Sequence, residues 1–149
     1  MKLNTLPPAP GVSVVAPLVP DPCGHSLPRI EVIYIAGPLR GPSAWEIEQH
    51  TRTAEALALQ VWLSGMVALC PHANIRFFQG AAAAEVFRQG EFELIRRCDA
   101  LLTVSGWERD PRTSRDMQVA HGLGKPVFNS MFDLVRWKDL GGCIESRAG

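Results

Sequence analysis

Two stretches decide the fold: Glu31-Val32-Ile33-Tyr34-Ile35-Ala36-Gly37-Pro38 (31–38) and Asp99-Ala100-Leu101-Leu102-Thr103-Val104-Ser105-Gly106 (99–106). Each is an unbroken apolar run, the first rich in β-branched side chains, and each stops at glycine. Apolar runs that do not alternate belong to strands buried on both faces, which is the habit of parallel sheets.

Outward from these strands the pattern alternates with helices. Ala54, Leu57, Ala58 and Val61 recur at helical spacing, and Ser64-Gly65 closes that helix. Met66 to Cys70 reads as a strand stopped by Pro71, and residues 71–84 as a loop with at most a short helix. Glu85 to Arg97 reads as a helix weakened by Gly90. After the 99–106 strand comes a polar loop, Trp107 to Thr113, with Ser114 as the cap of a helix whose face holds Met117, Ala120, His121 and Gly124. Lys125 to Asn129 is a further short strand and Met131 to Lys138 a last helix. The expected fold class is α/β: a doubly wound, flavodoxin- or Rossmann-like parallel sheet of four to five strands with helices on both faces.

Residues 1–28 contain seven prolines, which fix φ and cannot donate to a ladder, so they are expected to form an extended or flexible arm ahead of a domain spanning 29–149. The chain's 149 residues suit one hydrophobic core. Fifteen basic side chains balance fifteen acidic ones, which argues against a nucleic acid polymer or an anionic membrane as partner but permits a small anionic ligand. The N-terminal apolar run is short and broken by proline, unlike a signal peptide, and no stretch has the length of a transmembrane helix. The four cysteines lack CxxC spacing, and Cys70-Pro71-His72 fits no common zinc spacing. The expectation is a cytoplasmic protein with reduced thiols, no metal and no cofactor.

In open parallel sheets, ligands bind beyond the carboxyl ends of the strands, so the residues there carry the chemistry. Beyond the first strand stand Gly37, Pro38 and Arg40, where glycine lets backbone amides approach a ligand; the stretch lacks the GxGxxG fingerprint of a dinucleotide site. Beyond the third stand Trp107, Asp110, Arg112 and Asp116. Trp107 can stack on a base or pack beneath its loop. Asp116 is either a carboxylate serving its helix dipole or a nucleophile aimed at the cleft. Glu91, on the helix leading to the third strand, is either a solvated carboxylate or its partner, and Asp99 has a structural hydrogen-bonding role.

Tyr34-Ile35-Ala36-Gly37-Pro38, Arg97-Cys98-Asp99-Ala100-Leu101-Leu102, Gly106-Trp107 and Ala120…Gly124-Lys125-Pro126-Val127 stand in the order and spacing of the nucleoside 2-deoxyribosyltransferase superfamily, which the chain resembles over roughly residues 30–130. The nearest branch looks like its small uncharacterised bacterial and phage proteins. The resemblance implies cleavage or transfer at the N-glycosidic bond of a nucleoside or nucleotide. It places the family's nucleophilic glutamate at Asp116, its assisting aspartate at Glu91, and at Tyr34 a residue that contacts sugar or nucleophile. Arg40 or Arg112 would then meet a phosphate, Trp107 would wall the base, and the chain would assemble as a homodimer or larger homo-oligomer.

Departures accompany the likeness. The two carboxylates are exchanged in type, and a loop serine and glycine of the family are replaced by Asp110 and Arg112. Shortening a nucleophile by one methylene moves its oxygen by about 1 Å, a shift that can cost about 10²-fold in rate. Two rival readings therefore stand beside the first: a nucleotide-binding or sensing module without turnover, and a glycohydrolase of a larger nucleotide such as NAD.

Overall fold

The computed structural model describes residues 30–142. The proline-rich segment 1–28 and the last seven residues lie outside the described residues.

Four strands form one sheet: β1 (Val32–Ala36), β2 (Val67–Leu69), β3 (Ala100–Thr103) and β4 (Val127–Phe128). Their order is β2-β1-β3-β4 and every pairing is parallel, with Tyr34 in register with Leu69 on one side and Leu101 on the other. The chain leaves β1 in one direction to reach β2 and adds β3 on its other side. The strand order thus reverses between β1 and β3, where a doubly wound sheet opens a crevice.

The period of two in a strand divides the core. Ile33 and Ile35 pack with Ala54, Ala58 and Val61 of α1 (Ala44–Leu63) and with Leu134 and Trp137 of α5 (Met131–Asp139). Tyr34 and Ala36 face the other way, toward Ile95 of α3 (Ala84–Arg97) and Ala120 of α4 (Pro111–Gly122). Helices therefore cover both faces, which is why the strands read as continuous apolar runs. A one-turn α2 (Pro71–Asn74) follows β2, and a 3-10 turn, Trp107–Arg109, follows β3.

Local chemistry fixes the element ends. Gly65, at φ 76°, sits in the left-handed region just past α1. Its amide donates to Trp62 and that of Met66 to Val61, the paired bonds that satisfy the helix's last carbonyls. Asp99 ties β3 to β1, its carboxylate accepting from the Val32 amide at 2.8 Å while its own amide donates to the Val32 carbonyl at 2.8 Å.

Helix α1 is longer than its apolar period, and two sequence expectations for α4, its cap and its buried face, are corrected. Helix α1 begins ten residues before the apolar period at Ala54, because Ser43 caps it by accepting from the Glu46 amide at 3.2 Å. Its first half carries few core residues, so it has little apolar period to read. Helix α4 is capped by Asp110 and not Ser114: Asp110 accepts from the Thr113 amide at 2.9 Å, and Pro111 opens the first turn. Arg112 is consequently helical, and Asp116 lies in the second turn, beyond strong reach of the helix dipole. The buried face of α4 is Thr113, Asp116 and Ala120, whereas His121 and Gly124 are exposed.

Gly37 owes its identity to packing. A β-carbon there would stand 2.7 Å from Val104 Cγ2, so the glycine admits β3's following residue against the end of β1. Gly37→Ala is expected to lower stability by about 1–3 kcal/mol through overpacking, measured by urea denaturation, and a midpoint equal to that of the unchanged protein would contradict this account.

Candidate functional site

A cleft of about 900 Å³ opens where the strand order reverses. Its floor is supplied by the turn after β1 (Leu39, Arg40, Gly41) and the first half of α1 (Ala44, Ile47, Glu48, Thr51). His72 and residues 75–80 form one wall; Phe87, Glu91 and Phe92 of α3 face Arg112, Arg115 and Asp116 of α4.

The two carboxylates occupy positions that a core residue would normally take. Glu91 shares its helix face with Ile95 and Cys98, at i, i+4 and i+7; Asp116 lies between Thr113 and Ala120, at i−3 and i+4. Both are only 3% exposed, yet both line the cleft. The solvated-carboxylate reading of Glu91 is thereby excluded. A buried charge must be paired or hydrogen-bonded, and each of these is.

Arg112 makes an ion pair with Glu91. It also lies close enough to Asp116 and Tyr34 for its positive field to act on both. Tyr34 donates its hydroxyl to Asp116 from behind, out of the buried face of β1, and its own ionisation is pushed well above the usual range, first by burial and then by the Asp116 charge. Burial raises the Asp116 pKa from 3.8 to about 6, against the opposing pull of Arg112 and the Tyr34 hydrogen bond; Asp110 pushes the same way as burial. Four residues from β1, α3 and α4 thus form one group, with Glu91, Arg112 and Asp116 in the cleft lining and Tyr34 buried behind it.

Of the residues the sequence singled out, Arg40, Glu91, Asp110, Arg112 and Asp116 line this cleft. Tyr34, Gly37, Pro38 and Trp107 are not part of the lining. Trp107 sits half-buried on the 3-10 turn, and the aromatic surface of the cleft comes from Phe77, Phe78, Phe87 and Phe92 instead. Pro38 contributes its carbonyl, which accepts from His72 Nε2 at 2.9 Å. Asp110 spends its carboxylate on the first turn of α4, accepting from both the amide and the hydroxyl of Thr113.

Sequence reasoning missed His72 and Arg115. His72 is buried, its pKa depressed to about 4 by desolvation despite the hydrogen bond to Pro38, so it stands neutral in the wall. It lies three residues beyond the end of β2, after Cys70 and Pro71, where its spacing to Cys70 speaks only to a zinc pair. Among the described residues no cluster of three or more metal-ligating side chains occurs, and no helix is long and apolar enough to cross a membrane.

The class defined so far is an open parallel α/β sheet with a largely apolar cleft, carrying buried carboxylates, at its topological reversal. The chain is similar to a solved structure of a 2-deoxyribosyltransferase from the psychrotolerant bacterium Bacillus psychrosaccharolyticus, at 18% identity and a TM-score of 0.49, over 77% of this chain and 93% of that one. No family model and no curated protein matches.

Two measurements probe the buried charges. Arg112→Met strands Glu91 without its cation and is expected to cost about 3–5 kcal/mol, most of it recovered in Arg112→Met/Glu91→Met; additive losses in chemical denaturation would disprove the pairing. For Asp116, the folded protein keeps a proton that the unfolded chain has released. Its carboxyl therefore costs nothing below pH about 4, an increasing amount up to pH about 6, and a constant amount above. Asp116→Asn should then be more stable than the unchanged protein at pH 7, by about 3 kcal/mol, with the difference vanishing near pH 4 in melting curves.

Proposed function

We propose that the cleft holds a nucleoside or nucleotide and that Asp116 cleaves its N-glycosidic bond. The observation that supports this most directly is the burial of two carboxylates on facing helices in the lining of one cleft, with a tyrosine beside Asp116 and an arginine ion-paired to Glu91. Burying two acids costs stability, and the fold keeps them at the point where a ligand would lie.

In this reading an Asp116 oxygen attacks C1′ of the sugar, the C1′–N bond breaks, and its electron pair leaves with the base. Glu91, held by Arg112, orients the sugar, and passes a proton taken from water to the departing base. Water, or a second base, then attacks C1′ and releases the Asp116 carboxylate. One covalent intermediate divides a difficult displacement into two easier steps, the logic shared with retaining glycosidases. Tyr34 supports the reaction by holding Asp116 in one rotamer and by favouring its charged form. The apolar ring surface of Phe87 and Phe92 is suited to cover a base. A homodimer or larger assembly of this chain belongs to the same proposal.

A specific observation keeps a binding module as the second reading. Asp110 caps α4, and Arg112 is committed to Glu91, so the first turn of α4 is already occupied by its own side chains. The same cleft without turnover would be a nucleotide sensor.

Purified protein incubated with nucleosides, deoxynucleoside monophosphates and NAD is expected to release free base from one class. The rate should rise with pH through about 6 as Asp116 loses its proton. Asp116→Ala should lower it by about three orders of magnitude or more. Base release that survives Asp116→Ala would remove the nucleophile assignment. A ligand that raises the melting temperature without any base release would favour the sensor.

A further inference from the structure

The helix that floors the cleft presents another side to solvent, and that side is apolar. On α1, Trp45, Leu59, Trp62 and Leu63 are 69%, 58%, 53% and 73% exposed. Leu59, Trp62 and Leu63 stand at i, i+3 and i+4 and so form one continuous patch over the last turns. Trp45, about five turns before Leu63, lies on the same side. One exposed leucine is ordinary, but two tryptophans and two leucines along one helix side mark a surface that another segment covers.

The described chain begins beside this patch. The Val67 amide donates to the Glu31 carbonyl at 2.9 Å, and Met66, just before it, donates to Val61, the neighbour of Trp62. The covalent continuation of the chain ahead of Ile30 therefore departs from the end of α1 that carries Trp62 and Leu63.

That continuation has the sequence of a ligand for such a surface. Residues 3–20 carry no charged side chain. Within them, Pro7-Pro8-Ala9-Pro10 and Pro17-Leu18-Val19-Pro20 each set two prolines three apart, the period of a polyproline II helix, so that the pair shares one edge. Prolines so spaced dock on aromatic side chains, because the extended chain has little conformational freedom left to lose. The lengths agree. Pro7 and Pro17 are about 31 Å apart at polyproline spacing, and Trp45 and Trp62 about 26 Å apart along their helix. Residues 21–29 reach up to about 30 Å, enough to bring Pro20 to Trp62.

We propose that segment 7–20 of this same chain lies along the outer side of α1, with Pro17-Leu18-Val19-Pro20 on Trp62 and Leu63 and Pro7-Pro8-Ala9-Pro10 on Trp45. The order follows from the tether: the motif nearer Ile30 meets the nearer tryptophan. Val12, Val14 and Val15 then pass over Ala56 and Leu59, which are also exposed. A second copy of the chain competes for this face only at its bulk concentration, whereas a tethered segment acts at a roughly millimolar effective concentration. The docking is independent of what the cleft binds.

The test reads the tryptophan indole N–H resonances of the full, isotope-labelled chain, assigned through Trp45→Phe and Trp62→Phe, together with its mass by sedimentation. Pro17→Gly/Leu18→Ser/Val19→Ser/Pro20→Gly is expected to shift the Trp62 resonance, and Pro7→Gly/Pro10→Gly that of Trp45. Trp137, packed in the core beneath the sheet, should keep its position in both variants and so report an intact fold. Both shifts, at a mass unchanged by the substitutions, uphold the docking. Trp62 and Trp45 resonances that ignore the substitutions overturn it. A mass that falls in the substituted chains assigns the segment to a neighbouring copy and overturns docking within one chain. Indole resonances that move on dilution of the unsubstituted protein, with a falling mass, assign the face to contact between copies and overturn it as well.

Discussion

A carboxylate held out of water at Asp116 is the constraint to which the neighbouring structure answers. Left alone, it would take up a proton and lie neutral in the core, because transferring a charge from water into a low-dielectric interior is unfavourable. The fold opposes this with a hydroxyl from β1 and a guanidinium from α4, and leaves the residue poised near neutrality instead of fixed in either state. Each compensating group imposes a demand in turn. Tyr34 must be on the α3/α4 side of the sheet, which fixes Ile33 and Ile35 on the other. Arg112 must be helical, which depends on the Asp110 cap one residue before the first turn. Glu91 must be present to balance Arg112, which places a glutamate where α3 would otherwise carry an apolar residue.

The framework was readable because its signals are strong and local. Apolar runs ending at Gly37 and Gly106, and the Ser64-Gly65 stop, correspond to β1, β3 and the end of α1, and the parallel sheet with helices on both faces follows from them. What the sequence concealed are features in which polar residues do structural work. The first half of α1 faces the cleft, so its turns lack an apolar period. Ser114 has the chemistry of a cap, but Asp110 is backed by Pro111, whose fixed φ and missing amide suit the first helical position. That shift of four residues moved Arg112 from a loop to a helix face and joined it to Glu91.

The candidate site was legible in kind more than in detail. Glu91 and Asp116 could be marked as carboxylates near the strand ends, but a sequence cannot distinguish a solvated helix face from a buried one when the buried face is itself polar. Gly37 invited a reading as room for ligand backbone contacts, whereas the room is taken by Val104. Trp107 drew attention as a lone large ring, while four phenylalanines spread over two segments form the aromatic surface. Arg115 passed unnoticed because an exposed arginine on a helix is ordinary.

The division of the core into two packed layers also governs the thiols. Cys70 belongs to the layer between the sheet and α1, Cys98 to the layer on the opposite side, so the sheet itself stands between them. Both are buried and free, and desolvation pushes Cys98 up to about 11 and raises Cys70 as well. Neither is a thiolate at neutral pH, and alkylating or oxidising reagents attack the thiolate. Modification at these two positions must wait for the layers to separate. The rate at which they become alkylated is therefore a direct clock for opening of the molecule, with one reporter on each side of the sheet.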